Sequence, residues 1–461
     1  MNKMHRESPK PFFLSPAYLE ELARRRQSLL ERLKPGEVLI VGSVPLQVRG
    51  GSIEETRRQD GDFLYLVGID EAESVAVFSR AHSQHRFVLF LRPCDMHREV
   101  WEGPAIGPEN APSLLGADAA FPIQELEARL PDYLANALRV HHSFGRHPAL
   151  DAKILSARDV LRRRERNGIH WPRIFCDLAE VVHPLRLRKS AFEVDMIREA
   201  VRITEEAHLR AMRAGRPGAY EYNVEAELLF TFKSHGAKPA YECIVGAGSN
   251  ATILHYRRNT NQIQDGDLVL VDAGAEFGHY ASDITRTFPA NGRFTPIQRA
   301  IYQSVLNAQL QAISAARPGV TLETIHHVAV RAITQAAIEL NLIAGPLDDA
   351  IASERYKAIY PHRTSHWLGV DVHDAGPYFL LDSSGAHPSP QPTVLEPGMV
   401  ITIEPGIYVR PHEHLLPSAA PYLYLGVRIE DDILITEHGA EVLSTRLPKE
   451  PDAIEALLGG R

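Results

Sequence analysis

Apolar runs that end in, or alternate with, charged residues are the dominant pattern along this chain. Leu268, Val269, Leu270 and Val271 form an unbroken apolar run that reads as a buried strand, and Asp272 stands at its C-terminal end. In VITIEPG a period of two puts Thr402 and Glu404 on one face and Ile401 and Ile403 on the other. GVRIEDD likewise puts Arg428 and Glu430 on one face, with Val427 and Ile429 opposite. Charged side chains therefore point inward from strands that otherwise read as core, where a carboxylate is costly unless paired or metal-bound. Any one such acid reads equally well as the partner of an arginine or of backbone N–H groups. Several strands sharing the pattern point to a ligand set.

Elsewhere the periodicity predicts an opening helix over 15–34, then strands at 39–42, 75–78 and 87–91 of a mixed α/β domain, and a helix-rich stretch over 123–165. HPLRLRKS at 183–190 reads as a linker. Ser190 and Glu193 have the S-x-x-E form of a capping box that starts a helix through 214. A second helix follows the Pro-Gly break at 217–218, and a third lies within 294–319, ending before its own Pro-Gly. HPSPQPTVLEPG at 387–398 reads as a turn-rich loop, and 409–425 as a loop of the kind in which substrate length is decided. The expected organisation is an α/β domain over 1–183 and an α+β domain over 190–461. A length of 461 residues, more than one core usually supports, agrees with two domains.

Asp272 and Asp283 are separated by ten residues, and His366, Glu404 and Glu430 follow far downstream. Four carboxylates and one imidazole make a hard, oxygen-rich donor set without thiolate, which suits Mn2+ better than structural zinc. With so many carboxylates at least two are expected to bridge, so that two divalent cations sit about 3.5–4 Å apart. The chemistry implied is metal-assisted hydrolysis. The formal net charge of -8 disfavours a nucleic-acid binder. Cys94, Cys176 and Cys243 are odd in number and show no CxxC, which disfavours disulfides and a thiolate zinc site. The first residues lack an apolar signal-peptide core and no run approaches about 18 apolar residues, so the expectation is a cytoplasmic protein without a membrane partner. The pairs His141 and His142, His326 and His327, and His412 and His414 read as surface and packing residues rather than a third metal site.

LHY at 254–256, DAG, SDITRTFP at 282–289, HRTSHWLGVDVHD at 362–374, EPGMVITIEPGIY at 396–408 and GVRIEDD at 426–432 occur in the order seen in the M24 metallopeptidases of pita-bread fold. Within that family the chain most resembles the bacterial-type aminopeptidase P group. RRQDGDFLYLVGIDEAESVAV at 57–77 and REVWEG at 98–103 resemble the domain that precedes the catalytic one there, so the resemblance spans nearly the whole chain.

The resemblance implies an α/β N-terminal domain followed by an α+β pita-bread catalytic domain. Its activity would be removal of the N-terminal residue from peptides with proline second, by a hydroxide held between two metal ions. Asp272, Asp283, His366, Glu404 and Glu430 would be the metal ligands, with Asp283 and Glu430 bridging and Glu404 the general base. His255 and His373 would stand near the scissile bond to shuttle protons and stabilise charge, His362 would shape the pocket, and Tyr408 would help line a slot for the proline ring. Arg428, two residues from Glu430 on the same face, reads as a charge that holds carboxylates in position. An Xaa-Pro bond has no N–H, so an enzyme that attacks it needs a strong nucleophile that does not rely on one. Trp101 reads as a partly buried surface residue or, by resemblance, as one that reaches a neighbouring subunit in a homo-oligomer, dimer or tetramer. The rival readings are a prolidase restricted to Xaa-Pro dipeptides, and a non-catalytic pita-bread module that binds peptides.

Overall fold

The apolar runs of the N-terminal region fold as Glu37–Gly42, Val75–Ser79 and Phe87–Leu91, each buried along its whole length. They form the middle of a six-stranded sheet, in the order Ala119–Pro122, Phe87–Leu91, Val75–Ser79, Glu37–Gly42, Arg139–His141, Ile174–Cys176. The computed structural model describes residues 15–49, 53–55, 58–381 and 390–459. The chain divides into two units, Met1–Arg186 and Leu187–Arg461. In the first, Val38, Ile40, Val77 and Phe90 of the sheet pack with Leu126, Leu130, Ile154 and Leu161, which lie on helices Leu126–Leu134 and Pro148–Arg163.

Three local expectations are corrected. The stretch 123–165 is not wholly helical, because Arg139–His141 adds a strand too short to leave a period in the sequence. Residues 183–187 are not linker but the end of helix Ala179–Leu187, whose internal Pro184 hides the pattern. That helix is held by a buried ion pair, Arg186 Nη1 donating to Asp62 Oδ1 at 2.7 Å. In the expected loop 387–398, Pro390–Pro392 pairs with Phe379–Leu381, while 387–389, like residues 1–14, lie outside the described residues.

The second unit opens on the predicted capping box: Glu193 N–H donates to Ser190 Oγ at 3.2 Å and Ser190 N–H to Glu193 Oε2 at 3.0 Å. The helix it starts, Ala191–Ala214, lies against strand Leu268–Ala273. Two antiparallel ladders carry the acids. In one, Leu268–Ala273 pairs with Ile284–Pro289, and the last partners are Ala273 and Ile284. In the other, Val400–Ile403 pairs with Asp431–Thr436, and the last partners are Ile403 and Asp431. GVRIEDD is therefore not one strand. Gly426–Arg428 pairs with Gly406–Tyr408, and Glu430 sits at the switch between two sheets.

Arg286 ties the two ladders together. Its side chain is wholly buried and donates to Asp431 Oδ1 at 2.7 Å, and to the carbonyls of Glu430 at 2.7 Å and Leu447 at 3.1 Å. Lys449 Nζ reaches the other oxygen of Asp431 at 2.6 Å. Burial opposes ionisation of Asp431, but Arg286 and Lys449 overcome it and hold the carboxyl below the usual range. Asp431→Asn leaves Arg286 without its counter-charge and is expected to cost about 3–5 kcal/mol in denaturant unfolding. A depressed carboxyl stabilises above its unfolded value of about 3.9 and loses that contribution as pH falls through the lower, folded one. The gap between wild type and Asp431→Asn should therefore stay constant above about pH 5 and narrow progressively below about pH 4, closing only as the folded carboxyl itself protonates.

Candidate metal centre

The register of the two ladders decides where the acids meet. Beyond the last pair of the first ladder come Gly274 and Asp283, and beyond that of the second come Glu404 and Glu430. Asp283 thus lies one step past the end of the ladder that Asp272 belongs to, and the two glutamates extend the other. The ten residues between the aspartates leave this sheet as a small hairpin, Ala275–Phe277 with Tyr280–Ala281, and return. A Cβ on Gly274 would lie 1.7 Å from the carbonyl oxygen of Ser282, so only glycine lets the outgoing and returning strands cross at this neck. From helix Ala191–Ala214, Thr204 Oγ1 secures the crossing, 2.8 Å from Ser282 Oγ and accepting Ala275 N–H at 2.8 Å.

The ladders are joined at the acids themselves. Glu430 N–H donates to the carbonyl of Thr285 at 3.1 Å, and Thr285 Oγ1 donates to Glu430 Oε2 at 2.7 Å. Asp283 N–H donates to Asp432 Oδ2 at 3.0 Å. His366 arrives from a segment that runs beside Val400–Ile403: Thr402 N–H donates to its carbonyl at 3.0 Å, and its own N–H reaches Thr402 Oγ1 at 3.2 Å. Its Nε2 stands 3.4 Å from Asp283 Oδ2 and 3.7 Å from Glu404 Oε1.

Ligand atoms of Asp283, His366 and Glu430 all lie within 4.8 Å of one another. Asp272 and Glu404 border that group. Crowding shows in the ionisation of the cluster. Burial and the charges of Asp283, Glu404 and Asp272 push Glu430 far above the usual carboxylate value. Burial lifts Glu404 to about 7 against the pull of His366 and Arg428. Burial raises Asp272 as well, although Arg428 Nη2 donates to its Oδ2 at 2.5 Å. Burial disfavours a charged His366, but the Asp283 hydrogen bond and the Glu404 charge overcome this and lift it to about 9. Three buried carboxylates and the half-buried Glu404 thus face one guanidinium and one imidazole, an excess of acidic groups that divalent cations fit.

The remaining sequence candidates surround this cluster. Leu254 and Tyr256 pack with Ile244, Leu270 and Tyr408, which leaves His255 between them exposed. His373 is also exposed, and its ring meets His366 edge-on at 4.3 Å. Partial desolvation and the His366 charge lower its pKa. His362 Nδ1 is 3.7 Å from Glu404 Oε2, and burial and Arg428 push it down to about 3. Tyr408 is buried, its hydroxyl 2.9 Å from His362 Nε2 and accepting from Arg428 Nη1 at 2.9 Å. Arg428 Nε also donates to Thr285 Oγ1 at 3.1 Å.

Sequence reasoning missed Tyr241, Thr285 and Asp432. The Tyr241 hydroxyl lies 2.6 Å from Asp272 Oδ1 and is also within hydrogen-bond reach of Asp283 Oδ1. It precedes its strand in a stretch without period, so no signal marks it. Thr285 and Asp432 sit inside quoted motifs and were passed over because only their register reveals their partners. His326 is a packing residue rather than a surface one: it is half-buried, its ring lies beside Tyr360, and its Nδ1 bonds Oγ1 of Thr364, two residues before His366, at 2.8 Å. Trp101 is 87% exposed, so the partly buried reading of it does not hold.

The model of metallopeptidase family M24 matches residues 195–437, and that of the aminopeptidase P N-terminal domain matches 22–141. The Xaa-Pro aminopeptidase of Escherichia coli K12 is 40% identical over 95% of this chain and 97% of its own. The structure of Pseudomonas aeruginosa aminopeptidase PepP superposes with a TM-score of 0.90 at 44% identity, covering 96% of this chain and 98% of that one. Zinc-substituted E. coli aminopeptidase P in complex with product gives 0.89 at 40% identity, covering 96% and 98%.

Raised values at Glu404 and His366 set the pH behaviour of the cation-free protein. Both lie above their unfolded values of about 4.3 and 6.5, so each contributes most below the unfolded value and loses that contribution as pH rises through about 7 and about 9. Chelator-treated protein should therefore show a melting temperature that falls between pH 6 and pH 9. Adding a divalent cation, which replaces the protons as counter-charge, should abolish or reverse that slope.

Proposed function

The chain belongs to metallopeptidase family M24 and to its aminopeptidase P group, and we infer that it is an Xaa-Pro aminopeptidase. It is a metal-dependent exopeptidase that removes the N-terminal residue from peptides with proline second, on a pita-bread catalytic fold preceded by an α/β domain. The convergence of Asp283, His366 and Glu430, bordered by Asp272 and Glu404, is the observation that carries the assignment. The spans of the two family matches support a division into an N-terminal domain over 1–183 and a catalytic domain over 190–461.

In this reading Asp272, Asp283, His366, Glu404 and Glu430 would hold two divalent cations, manganese by donor hardness, and Asp283 and Glu430 would be the residues that serve both. When bound, such cations lower the pKa of a coordinated water from about 15.7 towards 7. Glu404 takes the proton of the attacking water and delivers it to the proline nitrogen as the C–N bond breaks. His255 and His373, exposed beside the cluster, donate to the carbonyl oxygen as negative charge develops on it. His362 and Tyr408 form the wall beside Glu404, and Arg428 fixes Asp272 and, through Thr285, Glu430.

The cytoplasm is the proposed location, supported by three cysteines that all remain free. Among the described residues no helix is long and apolar enough to cross a membrane. A homo-oligomer, dimer or tetramer, is proposed as well. Helix Met96–Glu102 supports it, since it leaves Met96, Val100 and Trp101 at 82%, 81% and 87% exposure. If that face is an interface between copies, Trp101→Asp will elute as a smaller species than wild type in size-exclusion chromatography with light scattering; an unchanged mass rejects it.

The activity is tested with an Xaa-Pro-Yaa tripeptide beside the matching Xaa-Pro dipeptide, using chelator-stripped protein with and without Mn2+. Tripeptide cleavage only on restoring the cation is expected, and preference for the dipeptide would move the assignment to prolidase. Glu404→Ala should lose at least about 100-fold in kcat in a protein that still folds.

A further inference from the structure

Three residues beyond the boundary at Arg186, the chain places a lysine in the interior. Lys189 Nζ donates to Asp374 Oδ2 at 2.9 Å, and both side chains are 1% exposed. The backbone of Lys189 is fixed too, its N–H donating to the carbonyl of Gly398 at 2.8 Å. Asp374 closes the loop that follows His366. Its N–H donates to the carbonyl of Trp367 at 2.9 Å, and its Oδ1 accepts Asp371 N–H at 3.2 Å. The pair is seated against Gly369, where a Cβ would lie 2.2 Å from Asp374 Oδ2 and 2.9 Å from Lys189 Cε. Leu187 lies beside the chain just past this loop, its Cδ1 2.8 Å from where a Cβ on Gly376 would be.

His366 and His373 flank this loop in sequence, with their rings in contact, and are held differently. His366 is registered on strand Val400–Ile403 by the backbone bond from Thr402 N–H and by its own N–H donating to Thr402 Oγ1. His373 is exposed, belongs to no helix or strand, and meets His366 only through ring contact. The next residue, Asp374, is bonded to Trp367 and Asp371 within the loop, and Lys189 ties it to a segment outside the loop. We propose that Lys189 is a positioning residue for the proposed proton-handling histidine His373, acting through Asp374 by pinning the loop 369–374 at its base. The inference rests on the peptidase reading for the role of His373, though the pinning itself does not.

Lys189→Met tests it, with Lys189→Met/Asp374→Leu as the variant that leaves no unpaired buried charge if the single one fails to fold. Expected are cation content equal to wild type, because His366 keeps its strand register, and a fall in kcat of about 10–100-fold with a smaller change in KM. On a His373→Ala background the substitution should cause no further loss, since it acts through that ring. In cation-stripped protein, amide hydrogen exchange over 369–374 should quicken while the strand 400–403 stays protected. The proposal is overturned if a folded variant keeps wild-type kcat and exchange, or if Lys189→Met lowers kcat by the same factor with and without His373. Inactive wild-type protein would instead remove the peptidase reading, leaving exchange to decide whether the pin exists.

Discussion

Like charges forced together in a buried place are the constraint on which the catalytic unit is organised. Asp272, Asp283, Glu404 and Glu430 would separate if each were carried on its own flexible segment, since burial first, and the charges of Asp283 and Asp272 after it, lift Glu404 to about 7 in the absence of cations. They are held instead at the ends of two ladders whose registers leave no other position for them. Arg286 and Asp431, wholly buried behind the acids, lock one ladder to the other. In the proposed reading the folded chain has already brought the donors together before a cation arrives.

That division of labour explains the unequal treatment of the charged residues. Asp431 is neutralised completely by Arg286 and Lys449 and stays ionised as a structural element. Asp272 receives one arginine, and Glu430 only a threonine hydroxyl. The structural acid is satisfied by protein and the site acids are left in deficit, which separates the two kinds of buried carboxylate within two adjacent residues, Glu430 and Asp431.

Much of this was legible in the sequence, for a definable reason. Asp272 follows four apolar residues and Glu404 alternates with isoleucines, so local periodicity exposes both, and the Ser190 capping box announces its helix within four positions. What escaped depends on register between segments far apart in the chain. Tyr241 touches two aspartates 31 and 42 positions away, and Thr285 serves a glutamate 145 positions away. Lys189 was read as linker because its partner lies 185 positions downstream, and nothing local marks a lysine that will be buried. Where a strand changes sheets, at Glu430, alternation gave the right face but the wrong continuity.

The crossing at Gly274 bears on how the spacing of the two aspartates should be understood. Because the chain closes on itself at Gly274 and Ser282, the hairpin between them hangs outside the ladder that positions the acids. Residues added to its tip, near Gly278, would lengthen the hairpin without moving either carboxylate. The interval of ten residues is thus a property of one tethered hairpin, whose own anchors are its pairing with Lys238–Pro239 and the Tyr280 hydroxyl bond to Glu193. What the chemistry demands is the small residue at the neck, so a pattern search keyed to the neck would reach relatives that one keyed to the interval would miss.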